Sequence, residues 1–142
     1  MQTYDPKEVI MTFCGIPISG FDDGTFIQVT ASSDRYTKKI GADGEVARVR
    51  GNDYTSEVTT TLLQTSPSNT ILTGFMEADR LTNKGIGPLS ITDLSGGSIF
   101  FWPHAWIKKC PDYAASKDLE PRAWVFDTGQ VAIEGILGSS LI

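Results

Sequence analysis

The chain has 142 residues, of which 40% are hydrophobic and 20% charged, with a formal net charge of −5. That is enough apolar material for one domain with a core, and it excludes a disordered chain. The acidic balance argues against a protein that grips phosphate backbones, which needs clustered Lys and Arg. Cysteine occurs twice, at Cys14 and Cys110, and histidine once, at His104. Zinc sites use about four thiolate or imidazole ligands, so no zinc site is expected; two reduced thiols in an intracellular protein are. The opening MQTYDPKEV lacks a basic region leading into an apolar core, so no signal peptide is expected. No apolar run approaches the ~20 residues that span a bilayer, so the reading is of a soluble chain that assembles in the cytoplasm.

In chain order, Val9, Met11 and Phe13 alternate with polar or smaller residues and predict a first strand. Gly15, Pro17 and Gly20 punctuate the next stretch, and Asp22-Asp23-Gly24 predicts a turn. Residues 25–31 are β-branched and aromatic and predict a second strand; residues 36–40 suit short extended chain. Residues 41–53 are charged, punctuated by glycines at 41, 44 and 51, and read as a loop. Residues 54–64 are the clearest strand. Tyr54, Val58 and Leu62 fall on one face, and Thr55, Glu57, Thr59 and Thr61 on the other.

Ser66 is a predicted helix N-cap with Pro67 at the first helical position. Ile71, Leu72, Phe75 and Met76 form one stripe at helical spacing, a face that packs on a sheet. Arg80 and Lys84 suit the helix C-terminus, and Gly85 is the predicted terminating residue. Residues 88–94 predict a strand, and Ser95-Gly96-Gly97 a hairpin turn. Residues 98–102 are apolar on both faces and predict burial on both. Residues 105–109 continue the extended chain past Pro103, and residues 113–121 suit a short helical turn. Residues 123–126 and 130–137 predict the last strands. The whole is a mainly β fold, a sandwich or barrel with one flanking α-helix, in a single domain of residues 1–142.

No chemical motif survives inspection. The glycines of residues 41–53 match neither GxxxxGK[ST] nor GxGxxG, and Asp43 and Glu45 would repel phosphate. The same two carboxylates do not supply an EF-hand set. Val125 to Gln130, VFDTGQ, resembles the aspartic-protease motif. However, Gln130 replaces its hydroxyl residue, and 13 residues after Gly129 cannot complete a protease barrel. Asp127-Thr128-Gly129 therefore reads as a turn or bulge between strands. His104 has no motif-coupled nucleophile, and GxSxG is absent. Trp102, Trp106 and Trp124 sit in apolar stretches with only Lys108 and Lys109 as basic neighbours, which suits a core or subunit interface better than base stacking. No catalytic residue, cofactor or metal is expected, and the chain reads as no enzyme.

Several stretches together carry a resemblance. They are YDPKEVIMTFCGIPISGFDDGTFIQV, GADGEVARVRGNDYTSEVTTTLLQTSPSN, AWIKK followed by Pro-Asp after Cys110, and RAWVFDTG. In this order and spacing, from Tyr4 to about Ile136, the chain resembles the tail tube proteins of contractile-tailed phages. The resemblance implies six-copy rings stacked into a hollow tube within a sheath, with the inner sheets of the six subunits joined around the lumen. A long loop between two strands would reach the adjacent ring. DNA would pass through the lumen without specific binding. The implied partners are further copies of the chain, the sheath protein, a baseplate or tube initiator, and a tail terminator; the implied location is the virion tail. A tube of a phage-like injection or secretion machine shares this fold, and a monomeric β-barrel ligand-binding module is the remaining alternative.

On that basis Asp43, Glu45, Arg48, Arg50 and Asp53 are expected to make polar contacts between stacked rings, since interleaved charges fix register. Thr55, Glu57, Thr59 and Thr61 are expected to face the lumen, where carboxylates repel phosphate and hydroxyls hold water.

Overall fold

The computed structural model describes residues 5–116 and 118–136. After a short 3₁₀ turn at Pro6–Glu8 come strands β1 (Val9–Phe13), β2 (Ile16–Ile18), β3 (Ile27–Ala31), β4 (Tyr36–Ile40), β5 (Val46–Arg50) and β6 (Ser56–Leu62). The helix α1 (Ser68–Thr82) comes next, then β7 (Gly87–Asp93), β8 (Ile99–Lys109), β9 (Arg122–Thr128) and β10 (Ile133–Gly135). One antiparallel sheet runs in the order β2-β1-β7-β8-β9-β6-β3, with β10 added beside β8. β4 and β5 form a separate two-stranded sheet.

The main sheet is rolled. In a flat sheet β1 and β6 would lie about 19 Å apart, four strand spacings. Yet Thr60 Oγ1 on β6 meets Met11 Sδ on β1 at 3.0 Å, and the Phe13 and Phe126 ring centroids, from β1 and β9, are 5.1 Å apart. The two halves of the sheet therefore face each other. Met11, Phe13, Val58, Leu62, Leu89, Trp102 and Phe126 fill the space between and are fully enclosed. α1 covers the roll: Leu72 is buried, and Phe75 packs edge-on against Phe13 at 5.1 Å. The helical stripe expected from the sequence is this face, with Ile71, Phe75 and Met76 half-buried around Leu72. The link between β2 and β3 crosses to the far edge of the sheet, where Asp22 N–H donates to the Thr61 carbonyl and Leu63 N–H to that of Gly20.

Several sequence expectations need correction. Residues 46–50 are a strand, so residues 41–53 are the tip, second strand and base of a hairpin instead of a loop. Every residue of β5 is exposed, so no buried face imprinted a period on it. The strand β2 leaves no strand signal in the sequence because it has three residues and a Pro; at a sheet edge Pro17 is tolerated. It pairs with β1 across a tight turn in which Cys14 and Gly15 both take positive φ.

Residues 98–102 are not buried on both faces. Phe100 and Trp102 point into the core, whereas Phe101 is half-exposed and Ile99 exposed. The sheet has its helix on one side only. Residues 99–109 are one strand that runs through Pro103. There β8 exchanges β10 for β9 as its partner on one side, and its pairing with β7 shifts register, so the missing N–H breaks no ladder.

Helix α1 ends at Asn83, which takes the left-handed conformation (φ 58°) and donates its N–H to the Asp79 carbonyl. Gly85 is instead required for close packing, because a Cβ there would lie 2.4 Å from that of Asp79. At the other end the helix is assigned from Ser68, yet Ser66 Oγ accepts the Ser68 N–H at 3.2 Å, so Ser66 caps the first turn. Residues 113–116 and 118–121 hold no helical turn. The last strand is Ile133–Gly135, shorter than expected; Leu137 lies outside the described residues.

Candidate assembly surfaces

Two surfaces carry the residues singled out from the sequence. The first is the hairpin β4–β5, an arm in which every residue from 36 to 50 is exposed. Its register pairs Tyr36 with Arg50, Lys38 with Arg48 and Ile40 with Val46. Opposed residues in an antiparallel pair share a face. One face therefore carries an aliphatic pair near the tip, then cations, then an aromatic. The Arg48 guanidinium stacks 4.1 Å from the Tyr36 ring centroid. Asp43 folds the tip, where its Oδ1 accepts the Glu45 N–H at 3.1 Å.

The base of the arm is bracketed to the body. Gly51 N–H donates to the Arg35 carbonyl at 2.8 Å. Arg35 pairs with Glu134 and lies 4.4 Å from the Tyr54 ring centroid, and Arg50 Nε donates to the Tyr54 hydroxyl at 3.3 Å. Asp53 accepts from Ser33 Oγ at 2.7 Å, from Thr55 Oγ1 at 2.6 Å and from Thr55 N–H at 3.0 Å. Those hydrogen bonds, Ser33 first, lower its pKa from 3.8 to about 2. Asp53 makes these hydrogen bonds within its own chain at the base of the arm, while Asp43, Glu45, Arg48 and Arg50 lie on the arm itself.

Residues 36–50 hold four of the chain's twelve basic and two of its seventeen acidic residues. The arm therefore carries +2 and the remainder of the chain −7.

The second surface is the convex face of the sheet. Thr55, Glu57, Thr59 and Thr61 are half-exposed there, while Ser56, Val58, Thr60 and Leu62 point inward. The ladder brings Gln28 and Val125 beside Thr59, and Thr30 and Asp127 beside Glu57. Lys108 Nζ donates to Glu57 Oε2 at 2.8 Å. Glu57 and then Asp127 raise the lysine's pKa. A bulge between Ile107 and Lys109 places Lys109 opposite Val125, on the same face. The face therefore carries two lysines beside Glu57 and Asp127, one of them paired with Glu57, and is hydroxyl-rich with mixed charge where the sequence suggested an acidic surface. The lysines were visible in the sequence; the bulge that sets Lys109 opposite Val125 and the pairing of Lys108 with Glu57 were not.

Thr128 of VFDTGQ is buried. Its Oγ1 accepts the Ser56 N–H at 2.9 Å and donates to the Ser56 carbonyl at 3.1 Å, locking the end of the β6–β9 ladder. His104 is exposed, and its carbonyl accepts the Gly129 N–H. Trp102 and Trp124 are core residues and Trp106 is half-buried on the convex face. No helix among the described residues is long and apolar enough to cross a membrane.

The fold is shared with solved chains of an extracellular contractile injection system and of an anti-feeding prophage. The chain is similar to the sheath–tube complex of an extracellular contractile injection system (TM-score 0.64, 15% identity, covering 95% of this chain and 93% of that one). It is also similar to that system's sheath/tube terminator (0.66, 12% identity, 95% and 99%) and to the tube-terminating cap of an anti-feeding prophage (0.65, 11% identity, 93% and 91%). More particularly, residues 15–138 match the family model of the bacteriophage PhiTE tail tube protein, and the chain belongs to that family. "Structural protein ORF10" of Pseudomonas phage KPP10 is 32% identical over 131 residues, covering 87% of this chain and 76% of that protein. The chain is a phage structural protein of the tail-tube kind.

Proposed function

We propose that this protein builds the inner tail tube of a phage virion with a contractile sheath. Six copies form a ring, rings stack into a hollow conduit, and DNA leaves the capsid through it into the host. Sheath, initiator and terminator proteins are its partners, and assembly takes place in the host cytoplasm. The reading rests most on the arm. An isolated two-stranded hairpin is marginal in water, so fifteen exposed residues held only at their base point to a partner that covers them. Asp43, Glu45, Arg48 and Arg50 contact the next ring, and Asp53 holds the arm in position to do so. Thr55, Glu57, Thr59 and Thr61 face the lumen, where a hydrated surface of mixed charge gives passing phosphates little to hold.

A tube of a phage-like injection machine is the second reading, supported by the extracellular-system folds. Sequence likeness to a phage protein at 32%, against 11–15% for those structures, favours the virion.

Electron microscopy of the purified protein over a concentration series, with and without an initiator, tests the proposal. Hollow tubes are expected. Arg48→Glu combined with Arg50→Glu should leave a folded chain whose tubes are several-fold shorter. Unchanged tube length would remove the arm from stacking, and a strictly monomeric protein under all conditions would remove the tube reading itself. A reconstruction with β6 turned towards the outside would overturn the lumen assignment.

A further inference from the structure

Beside α1 and the irregular segment after β8 lies a cavity of about 240 Å³. Met76, Pro111, Tyr113 and Trp124 supply its apolar walls, and Cys110 and Asp112 also line it. It is smaller than the roughly 300–1,000 Å³ typical of small-molecule sites and suits one or two side chains. The polar groups in its wall are largely committed. Trp124 Nε1 donates to Asn69 Oδ1 at 2.9 Å, and Asn69 Nδ2 donates to the Leu63 carbonyl at 2.9 Å. The Arg122 guanidinium lies over the Tyr113 ring, 5.5 Å from its centroid. Negative charge stays close by: Asp112 is in the lining, and Glu120 is tied by its N–H to the lining residue Gln64 at 3.1 Å.

The cavity and the arm occupy opposite ends of the same ladder. The base of the arm adjoins the Ser56 end of β6, through Asp53 and Thr55. The cavity adjoins the other end, where Leu62 pairs with Arg122. A stack of rings with unlike faces brings one end of a subunit against the other end of the next. The arm tip carries Ile40 and Val46, paired on one face and each 62% exposed, with Lys38 and Arg48 as the next pair on that face.

We infer that the cavity receives the arm tip of a second copy of this chain: the Ile40–Val46 pair enters between Met76, Tyr113 and Trp124, and Lys38 and Arg48 lie against Asp112 and Glu120. The assignment rests on the self-assembly proposed above. It pairs the exposed aliphatic tip with apolar surface and the +2 arm with carboxylates of the −7 body; Glu120 accepts from Ser116 Oγ at 3.0 Å within its own chain and keeps its negative charge for a cation.

The native Cys110 in the lining makes the test direct. Val46→Cys in a Cys14→Ser background is assembled into tubes and mildly oxidised with copper phenanthroline. A disulfide needs Cα atoms within about 7 Å. Each chain then offers one thiol at its arm and one at its cavity, so a ladder well beyond dimers is expected on a non-reducing gel, and Cys110→Ser should abolish it. Ile40→Cys should behave the same. Tubes that cross-link only to dimers would mean that arm tips meet each other. Tubes that form without cross-linking in either variant would place the tip elsewhere. Both results overturn the inference and leave the tube reading standing. Absence of tubes, and with them of the ladder, overturns both.

Discussion

Gly20 and Asp53 show how single residues hold the assembly surfaces in place. Gly20 sits at φ +76°, and a Cβ there would lie 2.5 Å from Ser66 Oγ. That hydroxyl caps α1 and donates to the Ser19 carbonyl at 2.5 Å, so a methyl group would push on the helix start and the strand exit together. Gly20→Ala should cost about 2–4 kcal/mol, from left-handed strain plus a disturbed cap. Urea unfolding should show a lower midpoint at an unchanged m-value. Asp53 acts electrostatically. Its folded pKa is depressed to about 2 from 3.8, so its bracket is fully in place above the unfolded value near 4 and is lost as pH falls towards 2. Protection against hydrogen exchange at Thr55 and at the base of the arm, measured relative to the intrinsic rate at each pH, should fall over that window, and Asp53→Asn should remove the pH step. Ser66 and the turn residues of this region were legible in the sequence because capping is local chemistry. The need for Gly20 was not, since its obstacle lies 46 residues away in the chain.

At the scale of elements, the arm contributes little to folding and is free for the assembly role proposed for it. Its links to the body are a few exposed contacts at the base, and exposed ion pairs are worth about 0–1 kcal/mol each. Excising residues 36–50 is geometrically simple because Gly51 already bonds to Arg35. A two-residue turn in their place should change unfolding free energy by no more than about 1 kcal/mol while abolishing tube stacking, measured by thermal melts and electron microscopy in parallel. The alternating face of β6 could be read directly because one side is buried and the other wet. The arm strands could not, because a hairpin exposed on both sides has no reason to alternate; Val46 and Val49 fall on opposite faces. Residues 98–102 misled for the converse reason. Phe101 and Ile99 are apolar yet lie on a face that no second layer among the described residues covers.

For the whole molecule, the rolled sheet leaves two distinct surfaces free, the convex face and the arm, which the proposed tube would use for its lumen and its stacking. Rolling buries the concave face against itself and α1, and leaves the convex face, with its hydroxyls and the Glu57–Lys108 pair, outside. It also leaves the arm and the cavity at opposite ends of one ladder, which is the polarity that open-ended growth requires.

The sequence by itself determined what depends on neighbours along the chain. That covers the mainly β composition with one capped amphipathic helix, the inward and outward faces of β6, and the family resemblance carried by ordered short stretches. Only the tertiary structure decided the roll of the sheet, the exchange of partners along β8, the strand character of the arm and the bulge that sets Lys109 opposite Val125. These depend on pairings between residues tens of positions apart. The physical reason is that hydrogen-bonded register between distant strands leaves no periodic trace in either strand alone.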